Sequence, residues 1–182
     1  IRRYVNEGRD VHVCIVTDAV SLGWSEQRLR ARDDAIAQCA DLLGITETHQ
    51  LGYPAAELDT VPQRRINDDL TELVDRLNVS ELFLPFSGDR HTDHRIVHGA
   101  SFVAGRPHNG VDRLLAYETL SETEWGSDRP RFDPTVYVDI SNHLDVKIKA
   151  MGVYESEEQP FPHPRSKQSI RAQAVKRGTE AH

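Results

Sequence analysis

Apolar positions along the chain fall into two kinds of pattern, short continuous blocks and longer segments with helical spacing. The continuous blocks predict buried strands at 11–16 (VHVCIV), near 49–51, and at 82–85 (LFLP), 114–117 (LLAY) and 136–140 (VYVDI). Spacing of i, i+3, i+4 predicts helices at 1–7, from Ser25 to Gly44, over 66–77, from 91–94 to 104, and after the N-caps Ser141 and Ser166. Strands that alternate with helices predict an α/β chain, with a Rossmann-like three-layer α/β/α fold and a mostly parallel sheet.

The beginning of the chain predicts a further strand upstream of it. Residues 1–7 have the spacing of the last turns of a helix, and Gly8 is placed as the stop of that helix. A helix that leads into a buried strand normally belongs to a right-handed βαβ unit. We therefore expect one domain over residues 1–182 that lacks its first strand.

Composition and charge argue against several classes of protein. A formal charge of −7 argues against a protein that binds a nucleic-acid backbone, which needs concentrated Lys and Arg. The chain has no run of about 18 apolar residues for a membrane span, and it has no signal-peptide pattern. Cys14 and Cys39 are expected to be buried free thiols, and without a disulfide framework the cytoplasm is the expected compartment. No G-x-G-x-x-G or P-loop follows a strand, so a dinucleotide or ATP site has no support.

The polar residues that could carry chemistry concentrate in the stretch 82–105, a strand followed by a loop and the start of a helix. His91 and His94 are three residues apart, which puts both imidazoles on one side of a helix start. Both could bind a metal, or one could bind while the other acts as an acid or base, and Asp93 between them could orient a ring. The alternative is a polar helix terminus in which Thr92 or Asp93 is the N-cap and the histidines are merely exposed.

Other polar residues are weaker candidates. His98 could be a third ligand or, more simply, a packing or supporting histidine, because it lies about one turn beyond His94. Asp89 and Arg90 could contact substrate or brace the loop, and Asp18 could serve as a ligand or cap the turn that follows its strand. The remaining histidines, His12 and His49 among them, have no partner at a useful spacing and are expected to lie on the surface or in the core. The polar segment 118–134 could be the rim of a pocket or a surface loop.

Several motifs in order resemble one family. They are VTDA at a strand end, LLGI at a helix end, LGYP, GDRHTDHRIVHGA, LLAYE and VYVDIS. Together they are similar to the LmbE-like, or PIG-L-like, zinc-dependent N-deacetylases. The resemblance implies that His94 completes a zinc site, that His91 stabilises the oxyanion or protonates the leaving amine, and that Asp93 orients His91. It also implies a role for Arg32, which falls near the position of a family arginine linked to substrate binding.

The sequence departs from the family at three places. The A-H-P-D-D-E motif, which supplies the other zinc ligands and the general base in that family, is not in the chain and would precede Ile1. Family members also usually continue beyond Arg177 and Gly178, and Ala55 stands where many relatives carry Asp. Zn²⁺ is therefore expected in the complete protein, and weak or no zinc binding is expected for this chain.

The resemblance implies a reaction and a partner. The reaction is hydrolysis of the N-acetyl group of an N-acetylglucosamine-type sugar or glycoconjugate, which gives acetate and an amino sugar. The expected partner is that sugar, with no nucleic acid and no membrane span. Two alternatives stay open: a non-catalytic sugar-binding or structural relative, and another metal-dependent hydrolase.

Overall fold

The computed structural model describes residues 1–125 and 128–181 of the chain. Its helices and strands alternate as far as α5, and α6 follows directly. The order is α1 (Arg2–Asn6), β1 (His12–Asp18), α2 (Glu26–Leu43), β2 (Glu47–Pro54), α3 (Gln63–Leu77), β3 (Glu81–Pro85), α4 (Thr92–Ala104), β4 (Arg113–Tyr117), α5 (Leu144–Gly152) and α6 (Lys167–Glu180). The predicted α/β class is confirmed.

Two parallel strand pairs carry the sheet structure. In the pair β1–β2, the Thr46 N–H donates to the Val11 carbonyl at 2.8 Å and the Ala55 N–H donates to the Asp18 carbonyl at 3.1 Å. Because the numbers of the paired residues increase along both strands, the strands are parallel. In the pair β3–β4, Glu81 lies beside Arg113 and Pro85 beside Tyr117, also in parallel. Each pair is connected through a helix, as a parallel pair requires.

The chain divides into two compact units. The first contains residues 1–15, 23–50 and 134–182, and the second contains residues 16–22 and 51–133. In the first, α5 packs against both α2 and α6, and in the second, α4 packs against α3 and β3. The expectation of a single domain stays a prediction.

The ends of α2 follow the local signals in the sequence. The Ser25 hydroxyl accepts from the Arg28 N–H at 3.3 Å and caps the first turn. Gly44 ends the helix in the left-handed region with φ 72°. A Cβ at Gly44 would also lie 2.9 Å from Cγ1 of Val5, so close contact with α1 is a second reason for glycine at this position.

The second unit has an apolar core that fixes the start of α4. Leu58 and Ile66 are fully buried, and Leu84 on β3 is almost so. Ala100 and Ala104 on α4 are also fully buried, and such small side chains let a helix approach its neighbours closely. Burial of a Leu or Ile side chain contributes about 1.5–3 kcal/mol each, so this packing holds α4 firmly.

Two predictions about residues 136–144 are wrong. The structure assigns no strand to 136–140, where Val136 is 48% and Val138 is 37% exposed, so the apolar block does not lie in a buried sheet. Helix α5 begins at Leu144 with His143 at its N-cap, and not directly after Ser141. The Ser141 N–H and hydroxyl both donate to Oδ1 of Asp139 at 2.9 and 2.6 Å, and this local turn delays the helix.

Candidate active site

The start of α4 fixes the orientation of the His91 ring. His91 is the N-cap residue, with extended backbone at φ −68° and ψ 125°. Its Nδ1 accepts from the Asp93 backbone N–H at 3.2 Å. A nitrogen that accepts a hydrogen bond carries no proton, so in the neutral ring the proton is on Nε2. His91 therefore presents an N–H donor on the side of the ring away from the helix, and it replaces Thr92 or Asp93 as the cap.

The His94 ring is held by a buried carboxylate. Its Nδ1 lies 2.9 Å from Oδ2 of Asp89, whose side chain is fully buried. The other oxygen, Oδ1, accepts from the Thr123 hydroxyl at 2.6 Å. Because an ionised carboxylate can only accept, the Nδ1 proton of His94 points to Asp89 and the lone pair of the neutral ring is on Nε2. A carboxylate behind the imidazole in this way is typical of histidines that bind metals through the other nitrogen.

The two imidazoles form one cluster. Their ring centroids lie 5.1 Å apart with an interplanar angle of 21°. Both residues are half-buried, and 30% of the His94 side chain is exposed. The site thus combines a hydrogen-bond donor on His91 with a lone pair on His94, a pair suited to binding a polarised group and transferring a proton to it.

Asp93 has a different contact from the one expected. Its carboxylate accepts from the backbone N–H groups of Ala56 at 2.7 Å and Leu58 at 3.4 Å, and not from the His91 ring. The residue is buried, so its charge requires these partners. It is the Asp93 main chain that orients His91, while the carboxylate ties the first turn of α4 to the segment that follows β2.

Arg95 braces the loop before α4, a role that the sequence did not indicate. Its Nη1 donates to the carbonyls of Asp89 and Arg90 at 2.8 and 2.5 Å, and its Nη2 donates to the Thr92 hydroxyl at 2.9 Å. The i, i+3 spacing of Thr92 and Arg95 could have indicated the contact between their side chains. The contacts of Arg95 with the loop carbonyls could not be inferred from the sequence, because every residue type carries a backbone carbonyl. Thr123 was missed for a related reason, since it lies 34 residues from Asp89 in the polar segment 118–134, part of which is outside the described residues.

Three other candidates have supporting contacts. His98 Nδ1 lies 2.8 Å from the carbonyl of Pro85, which ties α4 to the end of β3 and agrees with a supporting role. Asp18 Oδ1 accepts from the Val20 N–H at 3.0 Å, so Asp18 caps the turn after β1. Arg90 is exposed, and its backbone N–H donates to the Glu122 carbonyl at 3.1 Å. Contacts of Asp89 and Arg90 with substrate stay predictions.

Arg32 belongs to the first unit, on α2. Its Nη1 lies 3.4 Å from Oδ1 of the neighbouring Asp33. An ion pair between adjacent, partly exposed residues contributes little to stability. Its assignment to substrate binding stays a prediction.

Tyr53 of the LGYP motif is a structural residue of the second unit. It is 5% exposed, and its hydroxyl donates to Oδ2 of Asp69 at 2.5 Å. Burial and this hydrogen bond raise the pKa of Tyr53 to about 12. The side chain is therefore neutral throughout the physiological range and acts as a buried link between β2 and α3.

The residues at the start of α4 fit one metal ligand and do not complete a metal site. His94 offers Nε2, whereas the carboxylates of Asp89 and Asp93 already accept two hydrogen bonds each. Among the residues that the structure describes, the one group of three close metal-ligating side chains lies elsewhere, at His12, Glu47 and His49. Zinc at His94 would need ligands in addition to those described around it.

Comparison with known proteins gives the chain a family. The family model described as "PIG-L: GlcNAc-PI de-N-acetylase" matches residues 1–104. A diacetylchitobiose deacetylase of Thermococcus kodakarensis is 24% identical over 173 residues, which cover 86% of this chain and 62% of that protein. The chain therefore spans less than two thirds of the length of this curated relative.

Solved structures share the fold. A conserved protein of Thermus thermophilus matches with a TM-score of 0.78 and 23% identity over 98% of this chain and 80% of its own. An N,N'-diacetylchitobiose deacetylase of Pyrococcus horikoshii, solved with an inhibitor, matches with a TM-score of 0.71 and 20% identity over 98% and 71%. A 4-carboxy-2-hydroxymuconate hydratase of Pseudomonas putida matches with a TM-score of 0.72 and 15% identity over 99% and 78%. Because a hydratase has this fold too, the fold alone does not determine the reaction.

The family match rests on the sequence itself and extends through more than half of the chain, including the whole H-x-D-H stretch and α4. The resemblance noted in the motifs is thereby confirmed, and the chain belongs to the PIG-L family.

Proposed function

We propose that this chain is the part of a metal-dependent N-deacetylase that carries the H-x-D-H half of its active site. The reaction is hydrolysis of the N-acetyl group of an N-acetylglucosamine-type sugar or glycoconjugate, giving acetate and an amino sugar. Membership of the PIG-L family and the names of two deacetylase relatives support this reaction. The observation that carries the proposal is the pair His91 and His94, each held by a hydrogen bond to its Nδ1.

His94 is the metal ligand in this proposal, and Zn²⁺ is the metal. Asp89 holds the ring from its buried side, which leaves Nε2 as the nitrogen that can bind a metal. A divalent metal, when bound, would polarise the substrate carbonyl and would lower the pKa of a bound water to about 7. The contribution of this chain is to fix the direction of the imidazole lone pair before the metal arrives.

His91 acts on the substrate amide. Its Nε2–H can donate to the carbonyl oxygen as negative charge develops there, or, from the protonated ring, pass to the departing sugar nitrogen and leave the neutral imidazole behind. Asp93 works through it, since the Asp93 N–H fixes the ring and the Asp93 carboxylate anchors that turn of the helix. Asp93 is thus proposed as a positioning residue, and Arg32, Asp89 and Arg90 as groups near the sugar.

The reaction has a proposed compartment and a proposed partner. No helix among the described residues is long and apolar enough to cross a membrane. We place the reaction in the cytoplasm because Cys14 and Cys39 are free thiols; both are half-buried rather than buried as expected. The N-acetyl sugar is the proposed partner.

Acetate release tests the proposal. The natural full-length protein, loaded with Zn²⁺, should release acetate from N,N'-diacetylchitobiose or N-acetylglucosamine, and a chelator should abolish this release. His94→Ala should lose activity, whereas His108→Ala, which removes an exposed histidine, should keep it. Hydrolysis of a phosphate ester without acetate release would overturn the proposal in favour of another metal-dependent hydrolase.

A non-catalytic sugar-binding relative is the second candidate. It is favoured by one observation, namely that the described residues around His94 do not complete a set of three metal ligands. Binding of the sugar by the full-length protein, without acetate release at any zinc concentration, would decide for this candidate.

A further inference from the structure

Two histidines without a partner in the sequence meet at the amino ends of β1 and β2. His12 is the first residue of β1, and His49 is the third residue of β2. Hydrogen bonds between Val11 and Thr46, at 2.8 and 3.1 Å, set the register of the two strands just before these residues. The expectation that His12 and His49 have no useful partner is therefore wrong, because strand pairing joins residues 37 positions apart.

The contact between the two rings is close and specific. Nδ1 of His12 lies 3.1 Å from Nε2 of His49, and the rings are stacked at 5.3 Å with an interplanar angle of 22°. Two nitrogens bound to one tetrahedral zinc, each about 2.0–2.1 Å from the metal, lie about 3.3 Å apart. In the metal-free chain this contact is a hydrogen bond, and its length is close to the separation that a shared metal needs, so the ion would displace the shared proton.

Glu47 adds a carboxylate to the same group. It begins β2, and because side chains alternate along a strand, Glu47 and His49 share one face. One ligand atom from each of the three residues lies within 4.8 Å of the other two. Oε1 of Glu47 also lies 3.7 Å from Nδ1 of His49, which is the ring nitrogen that does not meet His12. The side chain of His49 is only 10% exposed whereas that of Glu47 is 61% exposed, so the group opens to solvent on the carboxylate side.

We propose that His12, Glu47 and His49 form a second metal site, which binds a divalent transition metal. Zn²⁺ is the metal used to test it. Two imidazoles and a carboxylate are ligands that zinc accepts, and three protein ligands leave a fourth position for water. The bound ion links the first residues of β1 and β2. It stabilises the folded chain because the unfolded chain does not bring the three residues together.

The proposal is independent of deacetylation. None of the three residues belongs to the H-x-D-H stretch, and weak zinc binding was expected only because that stretch offers too few ligands. A zinc ion on this chain would thus be bound by a cluster that the spacing of residues in the sequence does not indicate.

Calorimetric titration with ZnCl₂ tests the site on the 182-residue chain, freed of metal and of any affinity tag. We expect one equivalent of zinc with a Kd of about 10 µM or tighter. His12→Gln and His49→Gln should each weaken binding about tenfold or more, and Glu47→Gln should weaken it less because that ligand is the exposed one. His108→Gln, at an exposed histidine, is the matched control and should bind as the parent chain does.

Unchanged binding in both His12→Gln and His49→Gln would overturn the proposal, as would no binding by the parent chain. Circular dichroism without metal shows whether the variants fold. If they do not, the Co²⁺-loaded parent chain gives the answer, since nitrogen and oxygen ligands produce d–d bands alone. A thiolate-to-metal charge-transfer band would instead assign the ion to Cys14 or Cys39 and contradict the site.

Discussion

Asp89 shows how a single buried side chain can organise a site. The sequence placed it in the loop before α4 and left open whether it contacts substrate or braces the loop. Its carboxylate lies between the Thr123 hydroxyl and the His94 ring. The pattern of residues identified both histidines because helical spacing fixes which side chains share a face. It could not assign the group that holds each ring, the Asp93 backbone N–H for His91 and the Asp89 carboxylate for His94, since hydrogen-bond partners depend on backbone turns and on residues distant in the chain.

Substitution of Asp89 tests this arrangement. In Asp89→Asn the side chain keeps its shape but loses the charge that holds the Nδ1 proton of His94. We expect the zinc concentration needed for half-maximal activity of the full-length protein to rise about 10–100-fold, as is usual when a residue behind a metal ligand is changed. Asp112→Asn, at an exposed position, is the matched control. An unchanged zinc requirement in a folded Asp89→Asn protein would show that Asp89 does not set the His94 ring.

Tyr53 offers a test of burial and hydrogen bonding within one residue. Tyr53→Phe removes the hydrogen bond to Asp69 and should lower the free energy of unfolding by about 1 kcal/mol near pH 7, measured by urea denaturation. Tyr137→Phe, at a side chain 39% exposed, should change it little.

The same substitution predicts a pH dependence. The pKa of Tyr53 is raised from its ordinary value of 10.0 to about 12 in the folded state. The stability that this shift represents is fully present below pH 10 and is lost as the pH rises toward 12. The difference in unfolding free energy between parent and Tyr53→Phe should therefore shrink over that interval, and a constant difference would contradict the assigned pKa.

At the scale of elements, signals carried by adjacent residues predicted the structure well. Ser25, Gly44 and Ser166 cap helices as expected, because a cap depends on atoms within one turn. The block 136–140 and the start of α5 were predicted wrongly. An apolar run shows that a segment can enter a sheet, but it does not show whether a neighbouring strand is there to receive it.

Gly44 tests the close approach of α1 and α2. Gly44→Ala combines a left-handed φ of 72° with a Cβ only 2.9 Å from Val5. Gly8→Ala is a matched control, since Gly8 has φ 79° and no atom within 4 Å of the added Cβ. The control should cost about 1 kcal/mol from backbone strain alone.

Gly44→Ala should cost at least about 1 kcal/mol more than Gly8→Ala, since crowding in a packed region adds to the strain. Thermal denaturation monitored by circular dichroism measures both. Equal losses of stability would mean that the contact with α1 relaxes freely.

At the scale of the whole molecule, the family and the reaction rest on different grounds. The family follows from the match over residues 1–104, and the fold from structures that match nearly the entire chain. The reaction depends on a few side chains, and a hydratase shares the fold. The proposal that His91 and His94 act together on an N-acetyl amide therefore concerns chemistry that the fold does not determine.

The kcat for acetate release in His91→Gln tests that claim most directly. Glutamine keeps a polar side chain but cannot transfer a proton as an imidazole does, so kcat should fall about 10²–10⁴-fold. KM should change by no more than about threefold, because the lost contact belongs to the transition state. A kcat in His91→Gln within about twofold of the parent value would contradict the account, since it would leave His91 without a part in the reaction.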